Sequence, residues 1–185
     1  MVSIKLVSND EELRGIQALQ QQNLRKNLSE KEAMEQGFVT AEYSFEFLHK
    51  MHLAAPSVIA VADGKVVGYS LVSIKAIRDE HPLLADLFNS IDRTVFQTKD
   101  LSKSNYVVVG QLCVGKGFRG IGLVDSLYKY FKDCYAQEFE YCITDVAQEN
   151  QRSLKAHQKC GFQVIDTLTY GGFGWDIVLW DWNPR

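Results

Sequence analysis

The stretch GKGFRGIG, residues 115–122, lies between an almost wholly apolar run, NYVVVGQLCV (105–114), and LVDSLYKYFKDC (123–134), whose apolar residues recur at helical spacing. The first run has strand length and reads as a strand covered on both faces. A strand that enters a glycine-rich turn and leaves as a helix presents the first N–H groups of that helix, unpaired, at the positive end of its dipole. Such a turn is built for an anion. The reading of the whole chain depends on which anion that is.

The letters fit more than one answer. Gly115, Gly117 and Gly120 satisfy the GxGxxG spacing of a dinucleotide-binding turn, and Glu140 lies twenty residues beyond Gly120. In that fold, however, the acidic residue ends the second strand, whereas Glu140 precedes its strand and Asp145 lies within it. The turn also arrives after more than a hundred residues, where a dinucleotide domain leads with it. No Gly-Lys-Ser/Thr follows, so a P-loop is excluded. A glycine turn that holds no ligand stays open on these letters alone.

The rest of the 185 residues supplies the context. That length suits one domain with one core, residues 1–185, and the three prolines and the lack of any Gly/Ser tract leave no place for a linker. A net charge of -3 without blocks of like charge gives no footprint for nucleic acid or an anionic membrane. No apolar run approaches the ~20 residues of a membrane span. Cys113, Cys134, Cys142 and Cys160 form no CxxC pair and no signal peptide precedes them, so they read as reduced thiols, mostly buried, of a cytoplasmic protein.

Along the chain, Ile4–Val7 reads as a strand. Capping-box spacings at Ser8–Glu11 and Ser29–Glu32 open helices, the second ended by Gly37. A helix from Thr40 to Pro56 follows, then a hairpin over 57–74 turned by Asp63-Gly64, then a helix from His81 to Phe96. After the turn come a helix with Leu123, Leu127, Tyr130, Phe131 and Cys134 on its apolar side, the strand EYCITDVAQ, a helix ending at Gly161-Phe162, and a last hairpin across Gly171–Gly174. This order predicts a mixed α/β (α+β) sheet with antiparallel and parallel pairs.

About thirty residues past the first glycine of the turn stands VAQENQRSLKAHQKCGF, residues 146–162. Together with FRGIGL (118–123) it resembles the GCN5-related N-acetyltransferase (GNAT) family, which pairs a strand, an Arg-Gly-x-Gly turn and a helix with a later Asn-x-x-Ala helix ending in Gly-Phe. The resemblance spans roughly residues 57–182 and rests on two motifs in the right order. It implies a central sheet of six to seven strands flanked by helices, with a splayed pair of central parallel strands. It implies acetyl-CoA as acyl donor, without a metal, and direct transfer to a primary amine in a ternary complex.

Residue by residue, the resemblance places the CoA diphosphate on Arg119, Gly120, Ile121, Gly122, Leu123 and Val124, the last of these where Gly or Ala is usual. It places the pantetheine along the backbone of Leu112, Cys113 and Val114, and makes Asn150 the head of the second motif. Ser153 stands where Ala is usual, and His157 where the family has a tyrosine acid, so His157 is the expected general acid toward the leaving thiolate. The strand glutamate often used as base is replaced by Val108; deprotonation through water, or by a carboxylate from elsewhere such as Glu42 or Asp145, stays open, and no base is assigned.

Loops at Gly37–Thr40 and Tyr170–Gly174 border the acceptor in the family, which makes Phe38, Tyr43, Tyr170 and Phe173 its expected lining. The acceptor is a small-molecule or peptide amine; a CoA-binding module without turnover is the alternative, given the missing glutamate and tyrosine. His49 and His52, one turn from Glu46, lack the further ligands a metal needs. The Trp-rich final strand, Trp175 to Trp182, could pair with a second copy as a homodimer if it forms an edge.

Overall fold

A computed structural model describes residues 1–183. The elements in chain order are β1 (Val2–Leu6), α1 (Asp10–Asn23), α2 (Glu30–Gln36), α3 (Phe45–Ala54), β2 (Val58–Ala62), β3 (Lys65–Ser73), α4 (Pro82–Ile91), β4 (Val95–Phe96), β5 (Lys99–Asp100), β6 (Tyr106–Val114), α5 (Leu123–Tyr135), β7 (Tyr141–Ala147), α6 (Gln151–Cys160), β8 (Gln163–Tyr170) and β9 (Phe173–Asp181). Seven strands form one sheet in the order β1-β2-β3-β6-β7-β9-β8, and β4 with β5 forms a small separate hairpin. Among the described strands of this sheet, only β6 and β7 are parallel neighbours. No described helix is long and apolar enough to cross a membrane.

Two apolar layers cover the sheet. Val108 and Tyr106 of β6 pack with residues of α1, α3 and α4, while Val107 and Val109 pack on the opposite face with Leu127, Tyr128 and Phe131 of α5. This alternation is what a strand buried on both faces requires. The buried side of α5 is Leu123, Leu127, Tyr128, Phe131 and Tyr135, whereas Cys134, expected among them, is exposed. Tyr135 takes that place because its hydroxyl reaches the carbonyl of Pro56, 2.5 Å away, satisfying its polar end at the core boundary.

Local signals explain most boundaries. At Asp63 and Gly64 φ is 49° and 74°, the left-handed pair that a two-residue hairpin turn needs, and β2 and β3 pair antiparallel across it. Ser29 and Glu32 make the expected reciprocal capping box. The first box is displaced by one residue: Asn9 caps Glu12, and the Glu12 carboxylate reaches back to the N–H of Ser8.

Two departures matter for function. The helix expected from Thr40 begins only at Phe45, because Ser44 caps it, and residues 40–43 lie outside any helix, with Ala41 and Tyr43 held by Gln111 and Gln20. The Trp-rich strand β9 lies between β7 and β8 and is therefore interior. The edge is β8, so a homodimer through an edge formed by β9 is ruled out.

Candidate active site

The parallel pairing of β6 with β7 covers only Tyr106–Val108 against Tyr141–Ile143. Past Val108 the two strands part. At the same place the register of β6 against β3 slips, with Leu71 opposite Gln111 and Val72 opposite Val109, so that Gly110 is the extra residue of a bulge. A Cβ at Gly110 would stand 2.6 Å from Ser73 Oγ and 3.2 Å from Met51 Cε, so only glycine fits there. The parting is finished by side chains: Thr144 donates its hydroxyl to the carbonyl of Val109 (2.7 Å), and Tyr43 donates to that of Gly110 (3.2 Å). Carbonyls that a continuous sheet would have paired are thus satisfied, and the strands stay open.

The loop 37–43 closes the gap from above. Its anchor is Gln111, which donates to the carbonyl of Ala41 (2.8 Å) and accepts from Gln20 (3.0 Å) and the Tyr69 hydroxyl (2.6 Å). Gln20 in turn accepts from the Tyr43 N–H. On the other side Asn150 caps α6 through Ser153 N–H and donates its amide to the carbonyl of Phe38 (3.2 Å). Arg152 adds a bond to the carbonyl of Glu35. The buried amides explain why Gln111, the lone polar side chain in its run, is not a base: its hydrogen bonds hold the loop.

Two cavities result. The larger, about 600 Å³, runs between loop 37–39, Leu112–Val114, the glycine turn and the lysine-bearing side of α6, where Lys155 and Lys159 stand. The smaller, about 90 Å³, is bounded by Tyr43, α4, Gly110, Asp145, Tyr170 and Trp175. They share five bordering residues: Phe38, Val39, Leu112, Asn150 and Ser153.

The glycine turn forms one end of the larger cavity. Gly117, Gly120 and Gly122 all have left-handed φ, 93°, 79° and 82°, and a Cβ on any of them would meet nothing within 4 Å. Backbone conformation, not crowding by the protein, therefore demands glycine, and the outer face of the turn is open to a ligand. Gly122 precedes α5 without a side-chain cap, and no acceptor among the described residues takes the N–H groups of Gly122, Leu123, Val124 and Asp125. Leu123 and Val124 line the cavity, whereas Ile121 is 64 % exposed and does not. Arg119 borders it but turns inward, donating to the carbonyl of Val114 (2.9 Å), to Gln36 and to Asn23, so its guanidinium pins the turn to α1 and α2.

Leu112, Cys113 and Val114 line the same cavity along their strand. Burial pushes the Cys113 thiol up to about 12 and that of Cys160 to about 11, so neither is a thiolate at neutral pH. Among the described residues, no three His, Cys, Asp or Glu side chains are grouped to hold a metal.

Asp145, on β7, lines the smaller cavity. Its half-buried carboxylate has no hydrogen bond or ion pair to another of the described residues; burial pushes its pKa up to about 6, against a smaller lowering by its own backbone N–H. Glu42, the other carboxylate considered, lines neither cavity: it is engaged by Lys26 and Gln21 on the surface, bonds that hold its pKa low. Val108 is fully buried, so no carboxylate stands at its place in the strand. Of the four aromatic residues expected to line one site, Phe38, Tyr43 and Tyr170 border the smaller cavity; Phe173, at the tip of the last hairpin, is 59 % exposed and reaches neither cavity.

His157 is not placed as a proton donor. Its Nδ1 lies 2.8 Å from the carbonyl oxygen of Ser153, which can only accept, so Nδ1 carries the hydrogen. Its Nε2 lies 2.7 Å from the Tyr128 hydroxyl, in a packet with Phe162, and burial pushes its pKa down to about 4. At neutral pH Nε2 is an acceptor without a proton to give. The expected role of general acid fails because both ring nitrogens are committed inside the protein.

Against known proteins, the model of the Acetyltransferase (GNAT) family matches residues 22–162, more than half of the chain. The chain belongs to the GNAT acetyltransferase family. The GNAT fold is shared with solved structures across nearly the whole length. A GNAT acetyltransferase from Streptococcus agalactiae superposes with a TM-score of 0.67 at 16 % identity, covering 97 % of this chain and 95 % of that one. NAA60 of Arabidopsis thaliana, solved with acetyl-CoA, gives 0.68 at 14 % identity and covers 98 % and 99 %. The ribosomal-protein-S18-alanine N-acetyltransferase of Escherichia coli gives 0.66 at 10 % identity and covers 100 % and 96 %. No curated protein matches this GNAT chain by sequence.

Proposed function

We infer that the protein is an acetyl-CoA-dependent N-acetyltransferase acting on a primary amine by direct attack, with the donor in the larger cavity and the acceptor in the smaller. The observation that carries this reading is the parting of β6 from β7 beside an uncapped helix, with the carboxylate of Asp145 lining the adjoining cavity.

The residues present suit the donor. The free N–H groups at the start of α5 would receive its diphosphate, with Lys155 and Lys159 adding positive charge along the same cavity. The side of Leu112–Val114 turned away from β3, apart from the Val114 carbonyl that Arg119 takes, would hydrogen-bond the pantetheine amides as an added strand. Asn150 frames the entrance between the cavities, and its side chain works by holding Phe38 and capping α6.

Asp145 is the proposed base. A carboxylate with its pKa raised to about 6 is ionised at neutral pH yet basic enough to take the proton that the amine nitrogen loses as it bonds to the acyl carbon. Tyr43 and Tyr170, with Leu84 and Leu87 of α4, enclose the amine and exclude water. The thioester would then lie where Phe38, Val39, Leu112, Asn150 and Ser153 separate the two cavities.

The experiment is an assay of thiol release from acetyl-CoA with peptides bearing free N-termini, lysine peptides, polyamines and simple arylalkylamines, each amide identified by mass. Amide formation that is lost in Asp145→Asn supports the reading. Acetyl-CoA that binds but yields no amide with any of these acceptors favours a CoA-binding module instead.

A further inference from the structure

One hydroxyl stands where the two cavities meet. Of the five residues that border both, only Ser153 carries one, in the first turn of α6. The direction of its hydrogen bonds can be worked out from the neighbouring histidine. His157 Nδ1–H donates to the Ser153 carbonyl oxygen at 2.8 Å, and Ser153 Oγ lies 3.4 Å from the same nitrogen. Because that nitrogen already bears a hydrogen, Oγ can only accept from it. No other partner among the described residues takes the Ser153 hydroxyl hydrogen, which is left free to donate into the junction.

The chain extends one step further back. Tyr128 Oη–H donates to His157 Nε2 at 2.7 Å, which fixes the tautomer that keeps the hydrogen on Nδ1. Tyr128 and His157 are buried, at 0 % and 3 % exposure, so water does not compete for either bond. The three groups thus form a run of donors, tyrosine to histidine to serine, and each bond of such a run polarises the next.

We propose that the Tyr128–His157–Ser153 chain presents the Ser153 hydroxyl as a hydrogen-bond donor to the sulfur of the departing CoA thiolate. This rests on the reading of the chain as an acetyl-CoA enzyme. In the step, the amine nitrogen bonds to the acyl carbon, the C–S bond breaks, and its electron pair goes to sulfur. Asp145 holds the proton lost by nitrogen, and Ser153 stabilises the sulfur anion while keeping its own proton. Protonation of the thiolate by water follows on release. Ser153 touches the leaving atom; His157 and Tyr128 are positioning residues.

The test needs no acceptor. Free CoA is bound to wild type, Ser153→Ala and Tyr128→Phe, its affinity is measured by calorimetry, and ionisation of its thiol is followed by ultraviolet thiolate absorbance against pH. A hydrogen bond to a charged sulfur is strong enough to move such a thiol by about one pH unit. The expected result is a bound thiol that titrates about one unit higher in Ser153→Ala than in wild type, with CoA affinity at low pH within about twofold, and a smaller rise in Tyr128→Phe. A bound thiol that titrates alike in wild type and Ser153→Ala overturns the proposal. A wild-type protein that does not bind CoA overturns the enzyme reading and this one together.

Discussion

Asn150 Nδ2 donates to the carbonyl oxygen of Phe38, 3.2 Å away, and so ties the start of α6 to a loop 112 residues earlier in the chain. The other end of the same amide accepts from Ser153 N–H. One side chain therefore caps a helix and positions the wall between two cavities. Asn150→Ala removes both bonds and should destabilise the fold by roughly 0.5–2 kcal/mol, the range for a lost N-cap, while weakening acetyl-CoA binding. Urea denaturation and calorimetry measure the two effects. Unchanged affinity would mean that the loop holds its place without Asn150.

The bulge at Gly110 makes a second prediction. Gly110→Ala drives a methyl group against Ser73 Oγ at 2.6 Å and Met51 Cε at 3.2 Å, which should cost about 1–3 kcal/mol. The Ser73 hydroxyl is buried and has no partner among the described residues, so Ser73→Ala alone should be neutral or mildly stabilising. Combined with Gly110→Ala it should recover part of the loss, since it removes the closer of the two obstructing atoms. Thermal melts of the two single variants and the double variant close the cycle.

Asp145 should control the acid limb of the rate profile. With its pKa near 6 the carboxylate gains its proton-accepting form as pH rises through that value, so kcat should climb there and level off above pH 7. Asp145→Asn should lower kcat by roughly 10²–10⁴-fold and abolish that limb, with acetyl-CoA affinity nearly intact. A variant that keeps the limb would assign the base to another group.

Stability against pH carries two opposing contributions. Asp145 is raised to about 6 from 3.8, so the folded state favours its neutral form, and its contribution is present below pH 4 and lost as pH rises through 6. His157 is lowered to about 4 from 6.5, so its contribution is present above pH 6.5 and lost as pH falls through 4. In wild type the two slopes offset each other between pH 4 and 6. Asp145→Asn should expose a fall in stability on acidification of roughly 1–3 kcal/mol, and His157→Gln a rise. Denaturation midpoints at pH 4, 5, 6 and 7 report the slopes.

Much of the fold could be read from local chemistry. The Asp63-Gly64 turn, the Ser29–Glu32 box, the apolar run of β6 and the helix pattern after Gly122 each specify their element with residues that lie close together in the chain. The glycine turn was legible for the same reason, and its partner motif at Asn150 confirmed the order of strand and helix. What escaped depends on contacts between distant segments. That Ser44, and not Thr40, starts α3 follows from Ala41 and Tyr43 being held by Gln111 and Gln20. The parting of β6 and β7 needs Gly110, Thr144 and Tyr43 together, and no window of sequence contains all three.

His157 shows the limit most clearly. Its register in the motif pointed to an acid, but its protonation is set by a tyrosine 29 residues away on another helix. Only the fold brings Tyr128 to Nε2. Asp145, by contrast, stands as a lone carboxylate in its strand and is one of the two carboxylates considered from the sequence; what the sequence does not show is that it lines a cavity beside the parting strands while Glu42 does not.

The most direct test of the account is the melting temperature of the wild-type protein with acetyl-CoA and, in parallel, with NAD. At 100 times its Kd, acetyl-CoA should stabilise the fold by about 2.7 kcal/mol, a rise of several degrees for a chain of this length, while NAD should leave the transition where it was. A transition unmoved by acetyl-CoA, or moved by NAD instead, would contradict it.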